Sequence, residues 1–104
     1  MNTPVIRFQH DGSTCEYVPV QQPLEHEHDR VRRTAPGNQP QVIATLKLAD
    51  DRTVEVHGCA QSYTWRYSFV AWVDDNLQHC NCWVPADCVR DPADGEWHGH
   101  HVSR

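Results

Sequence analysis

Hydrophobic and polar residues alternate most clearly between Gln41 and Val89, and the alternation there predicts two β-hairpins in succession. In residues 42–48, Val42, Ala44, Leu46 and Leu48 fall on one face of an extended chain. Ala49-Asp50-Asp51-Arg52 turns, and residues 53–57 return with Val54 and Val56 placed to meet that face. Residues 67–73 then run out, Asp74-Asp75-Asn76 turns, and residues 77–84 come back. Tyr67, Phe69, Ala71 and Val73 share one side of the outgoing strand, and Val70 and Trp72 occupy the other. A strand apolar on both sides belongs in the middle of a sheet. On the returning strand Cys80, Cys82 and Val84 lie together, opposite Leu77, His79, Asn81 and Trp83. Pro85-Ala86-Asp87-Cys88 forms one tight turn, and Val89 starts a last short strand.

The pattern is weaker upstream. Residues 5–9 place Ile6 and Phe8 on one face, Asp11-Gly12 supplies the positive-φ positions of a tight hairpin, and residues 15–20 return with Cys15 and Tyr17 together. Pro19 keeps that strand at an edge or ends it. The predicted strands are therefore 5–9, 15–20, 42–48, 53–58, 66–73 and 77–84, with Leu46, Val56, Phe69 and Ala71 in the core. Residues 22–41 form a polar excursion with three prolines. Within it, residues 23–33 suit either a loop or a short helix, whose early acids and late arginines would match the helix dipole. Residues 91–104 read as a polar, His-rich tail pinned by Trp97. The fold class is mainly all-β: a single domain built as a small antiparallel barrel or sandwich of five to six strands.

Phe69-Val70-Ala71-Trp72, followed by Trp83-Val84-Pro85-Ala86-Asp87-Cys88-Val89, resembles the end of SH3-like small barrels, where an apolar strand, a Trp-Val-Pro strand end, a one-turn helix and a last strand follow in that order. The resemblance covers residues 41–90 and implies a small barrel. It does not imply binding of proline-rich peptides, because the acidic specificity loop and paired aromatics of that function are missing from the expected places.

Composition narrows the function classes. The 104 residues are 38% hydrophobic with four tryptophans, enough for one folded core. The net charge of −5 disfavours sequence-independent binding to a phosphate backbone and leaves protein or small-molecule partners open. Protonation of all eight histidines would carry the chain from −5 to +3, which predicts a solubility minimum in mild acid. No basic, then apolar leader opens the chain and no run approaches a membrane span. With five cysteines, an odd number, this points to reduced thiols in the cytoplasm and no membrane contact. Eight arginines against one lysine suit a GC-rich genome, such as that of an actinobacterium or its phage.

Candidate chemistry is sparse. Cys80, Cys82 and Cys88, with Cys59 or His79, offer thiol and imidazole ligands for zinc, but their spacing is not that of paired Cys-x₂₋₄-Cys modules. Buried cysteines acting as small hydrophobes are the expected state, with no metal and no cofactor. His26-Glu27-His28 and His98-Gly99-His100-His101 lie in polar segments without a rigid support. His79 and Cys80 face opposite ways on a strand, and no phosphate loop, HExxH or GxSxG is present, so no enzyme is expected. Arg30, Arg32 and Arg33, with the aromatics of residues 63–67, suggest a single-stranded nucleic-acid barrel as the second reading. The leading expectation is a binding module that docks on another protein, as a small accessory protein would, through Tyr63, Trp65, Arg66 and Tyr67 in the connection 59–67. Tyr63, Trp65 and Tyr67 form either a barrel lid or a contact patch.

Overall fold

A computed structural model describes residues 5–19, 32–34 and 39–99. Among these residues eight strands follow in order: β1 (Ile6–His10), β2 (Ser13–Tyr17), β3 (Arg32–Arg33), β4 (Gln41–Lys47), β5 (Thr53–Tyr63), β6 (Tyr67–Val73), β7 (His79–Pro85) and β8 (Val89–Arg90), with a one-turn 3₁₀ helix at Ala86–Cys88 before the last. They form two antiparallel sheets. β1 and β2 make a two-stranded hairpin, and the larger sheet runs β7-β6-β5-β4-β8 with β3 also paired to β5. The all-β antiparallel expectation is met, as is the central place of β6 between β5 and β7.

The hairpins form where local chemistry favours them. Asp11 and Gly12 both take positive φ, 50° and 78°, as the tight β1–β2 turn requires. Val42, Ala44, Leu46 and Leu48 are all buried, and Ala44 pairs with Val56 and Leu46 with Val54 across the β4–β5 hairpin. Cys80, Cys82 and Val84 enter the same core from β7. Phe8, Cys15 and Tyr17 cover it from the small hairpin, with Phe8 meeting Trp72 edge to face at 5.5 Å between ring centres.

The inward face of β6 differs from the expected one. Val70 and Trp72 fill the core, whereas Phe69 is only half-buried on the other side, tilted against Trp83 with ring centres 5.2 Å apart. Because β6 is apolar on both sides, its own pattern does not choose a face. The choice comes from register, which sets Val70 opposite Cys82 and Trp72 opposite Cys80. Ala71 is still buried on the Phe69 side, with Ile43 and Cys59. β2 ends at Tyr17, short of the predicted residue 20, before Pro19. The proposed helix over 23–33 lies outside the described residues except at its end, where Arg32 and Arg33 are strand. His26, Glu27, His28, His100 and His101 also lie outside them.

Two neighbouring carboxylates join the two sheets, and the first is buried. Asp74 Oδ2 accepts the Gln9 backbone N–H of β1 at 2.8 Å, and Oδ1 accepts those of Asn76 and Gln78 at 2.9 and 2.8 Å. Its neighbour Asp75 donates its N–H to Gln9 O and accepts that of Asp11 on Oδ2. At the other side of the hairpin, Ala49 N–H donates to Glu16 O of β2. The hairpin thus lies across the core face, tied at both edges. The tail is pinned as expected: Trp97 Nε1 donates to Gly58 O at 3.0 Å. Arg90 adds a two-pronged pair to Glu96, 2.8 and 2.6 Å.

Asp74 is 5% exposed. Burial pushes its acidity toward the neutral form, but the N–H groups of Gln9, Gln78 and Asn76 outweigh this and hold its pKa below the ordinary value. A carboxyl with a depressed folded pKa contributes its stability above the unfolded value, about 4, and loses it as pH falls through the folded one. Asp74→Asn places an amide donor against an N–H donor and should cost ~2–4 kcal/mol at pH 7 in urea titrations, with a shallower acid limb than wild type. In the same assay Trp72→Ala should cost ~3–5 kcal/mol and Phe69→Ala only ~1–2 kcal/mol, the order expected from their burial.

Candidate functional site

The stretch 59–67, expected as a connection, is mostly strand: β5 continues to Tyr63 and only Thr64, Trp65 and Arg66 turn. Thr64 builds the turn. It is buried, its N–H donates to Tyr67 O at 2.8 Å, and its Oγ1 accepts the N–H groups of Arg66 and Tyr67. Trp65 and Arg66 are left at the tip. Arg66 O accepts the N–H of Ala86 at 2.8 Å, so the one-turn helix braces the tip from below.

Trp65 is 87% exposed and Tyr63 43%, which removes the lid reading for both. A side chain that closes the end of a core cannot lie in water. Nor do the three aromatics make one row. Tyr63 pairs with Ser68 on the face that carries Val70, while Tyr67 lies on the Phe69 face and is half-buried. The hairpin turn between them reverses the chain and separates the two tyrosines across the sheet.

The fold adds residues that the site assignment from sequence did not include. β4 leaves β5 at Cys59, and β3 takes over the vacated edge, pairing Arg32 with Tyr63 and Arg33 with Ser62. β5 carries a bulge between Ala60 and Ser62 against β6, and the edge turned away from β6 is the one β3 fills. Thr34 occupies it: its N–H donates to Gln61 O at 3.1 Å, and its hydroxyl lies 2.9 and 3.2 Å from the carbonyls of Ala60 and Gln61. Arg32 and Arg33 are exposed, as is Arg66, and none forms an ion pair with a described residue. The basic run at 30–33 was the one signal in the sequence for this neighbourhood. Its position depends on pairing with residues about thirty places downstream, which no local pattern encodes. Glu25, Glu27, Asp29 and Arg30 lie outside the described residues.

The thiols belong to the core. No disulfide joins the cysteines, and Cys15, Cys59, Cys80 and Cys82 are buried. Burial first, then the charge of Asp74, pushes Cys80 up to about 11, and burial followed by Cys80 pushes Cys82 up to about 12. Such thiols stay protonated at neutral pH and are poor nucleophiles. Among the described residues no group of three or more His, Cys, Asp or Glu is arranged to hold a metal.

A cleft of about 370 Å³ lies where β5 and β6 part beyond the Gly58–Trp72 pair, lined by Phe8, Val56, His57, Trp72, Asp74 and His98 among others. Its polar walls are largely engaged by the chain itself. Asp74 is spent on three N–H groups, and His57 Nδ1 accepts the His98 N–H at 2.9 Å while the two rings stack. The Trp72 indole N–H is buried without a partner among the described residues.

Comparison with protein families, curated proteins and solved structures found no match. No helix among the described residues is long and apolar enough to cross a membrane.

The raised thiols predict the alkaline response. A Cys whose folded pKa lies above its unfolded value binds its proton more tightly in the native state, so stability falls as pH rises from about 9 toward the folded values of about 11 and 12. Urea midpoints measured from pH 7 to 10.5 should decline above pH ~9, and Cys82→Ala should flatten that decline. In native protein at pH 8, a thiol reagent should label Cys80 and Cys82 far more slowly than after unfolding.

Proposed function

We propose that the protein is a non-enzymatic binding module that docks on another protein through the β5–β6 tip, with Tyr63, Trp65 and Arg66 as the contact residues and Tyr67 supporting them from the opposite face. The observation that carries this is Trp65: a tryptophan 87% exposed on a turn held by Thr64 and braced through Arg66 O. A large rigid side chain held out in water contributes nothing to the core and suits an interface anchor. Protonated, buried thiols give no support to a thiol enzyme. We read the fold as an SH3-like small barrel, working in the cytoplasm where its thiols stay reduced, as an accessory protein of an actinobacterium or phage.

The test begins with capture from extracts of the source cells by wild type and Trp65→Ala, followed by titration of the partner so identified. Trp65→Ala should change unfolding free energy by less than ~1 kcal/mol and weaken binding by ~2 kcal/mol or more. Removal of residues 91–104 takes away the Trp97 and Glu96 contacts, so it should lower the melting temperature and still leave the partner bound. A Trp65→Ala protein that binds fully, beside a truncated protein that does not bind, would put the working surface at the tail end of the molecule.

A further inference from the structure

We infer that the partner element recognised at this tip is an acidic segment of a protein, held by Arg32 and Arg33 of β3 together with Arg66 and the exposed Trp65. The inference rests on the docking role proposed above and names the chemistry of the partner. Its basis is a separation of charge along the strands. In an antiparallel meander successive turns fall at alternate ends. The β4–β5 turn carries Asp50 and Asp51, and the β6–β7 turn carries Asp74 and Asp75 at the same end. The β1–β2 turn joins them there, since Asp11 N–H donates to Asp75 Oδ2. Lys47 and Arg52 at this end are paired with Asp51 and Asp50. The opposite end holds the β5–β6 turn with Arg66, and β3 brings Arg32 beside Tyr63 and Arg33 beside Ser62. Asp87 of the bracing helix is an acid next to this tip among the described residues.

A chain of net charge −5 therefore exposes three arginines and two aromatics at one end. Arginine forks bind carboxylates in two-pronged geometry, and a nearby indole covers the contact from water. The same ingredients can hold a nucleic-acid strand. That ligand needs a basic path along a line of phosphates, however, and here the described cations of the tip occupy one turn and one two-residue strand, on a molecule that repels polyanions overall. A short carboxylate cluster matches the size of the patch. Charge separation of this kind also orients an acidic partner toward the tip before contact.

The probe is a fluorescein-labelled decaglutamate peptide, with decaglutamine and a twelve-nucleotide poly-dT as comparisons, followed by anisotropy at 50 and 200 mM salt. Wild type should bind decaglutamate, weaken several-fold at the higher salt, and leave decaglutamine unbound. Arg32→Gln with Arg33→Gln should weaken decaglutamate binding at least tenfold, Arg66→Gln alone should weaken it less, and Asp50→Asn with Asp51→Asn at the far end should leave it unchanged or tighter. Melting curves confirm that each variant is folded, and the Arg66→Gln protein keeps the test decisive if the β3 pair proves unstable. Absence of decaglutamate binding, indifference to the arginine changes, or tighter binding of poly-dT would each overturn the inference. The two proposals fail separately. Partner loss in Trp65→Ala without decaglutamate binding would remove the acidic partner and keep the docking role. Arginine-dependent decaglutamate binding beside a Trp65-independent partner would remove the docking role of Trp65.

Discussion

The Asp74 carboxylate is the interaction on which the arrangement of the two sheets depends. It takes one N–H from β1 and two from its own turn, so a single buried charge shapes the β6–β7 turn and seats the N-terminal hairpin at once. A neutral acceptor would make weaker bonds, and an uncompensated charge at 5% exposure would be costly. With three N–H donors the carboxylate is stable in place, and Phe8, Cys15 and Tyr17 are brought down onto Trp72, Cys80 and Cys82. Without the seated hairpin, one face of the large sheet would expose its apolar residues to water.

That construction leaves each end of the sheet with a distinct task. The acidic end is structural: its carboxylates bind turn N–H groups, the hairpin, or their own Lys47 and Arg52. The tip end is built differently. Thr64, Thr34 and Ala86 satisfy the backbone there, Trp65 is left exposed, and the side chains of Arg66, Arg32 and Arg33 form no ion pair with a described residue. Polar and aromatic groups held on a hydrogen-bonded backbone but not consumed by packing suit a binding surface, because the backbone beneath them is already ordered before contact. The cysteines lie on the structural side of this division. Cys15, Cys80 and Cys82 fill the core as small apolar groups, and burial keeps Cys80 and Cys82 protonated.

Much of the fold was legible in the sequence because it rests on short-range pattern. A period of two placed Val42, Ala44, Leu46 and Leu48 on one buried face, and Asp11-Gly12 supplied a turn that few other residue pairs permit. Trp97, the single large apolar residue of the tail, was identifiable as its anchor. The candidate site was half legible: Tyr63, Trp65 and Arg66 stood out by residue type, while their exposure and the turn that sets them apart did not.

By itself the sequence determined that this chain forms antiparallel hairpins, where three of them turn, and which residues alternate within each strand. Only the tertiary structure decided which side of β6 faces inward, that β5 runs on to Tyr63, and that Arg32 and Arg33 sit beside Tyr63. The first depends on the register between β6 and β7, and the others on the pairing of β5 with β6 as far as Ser68 and with a segment about thirty residues upstream. Alternation is written within a strand, whereas facing, edge pairing and the gathering of charge at one end depend on hydrogen bonds between strands far apart in the chain.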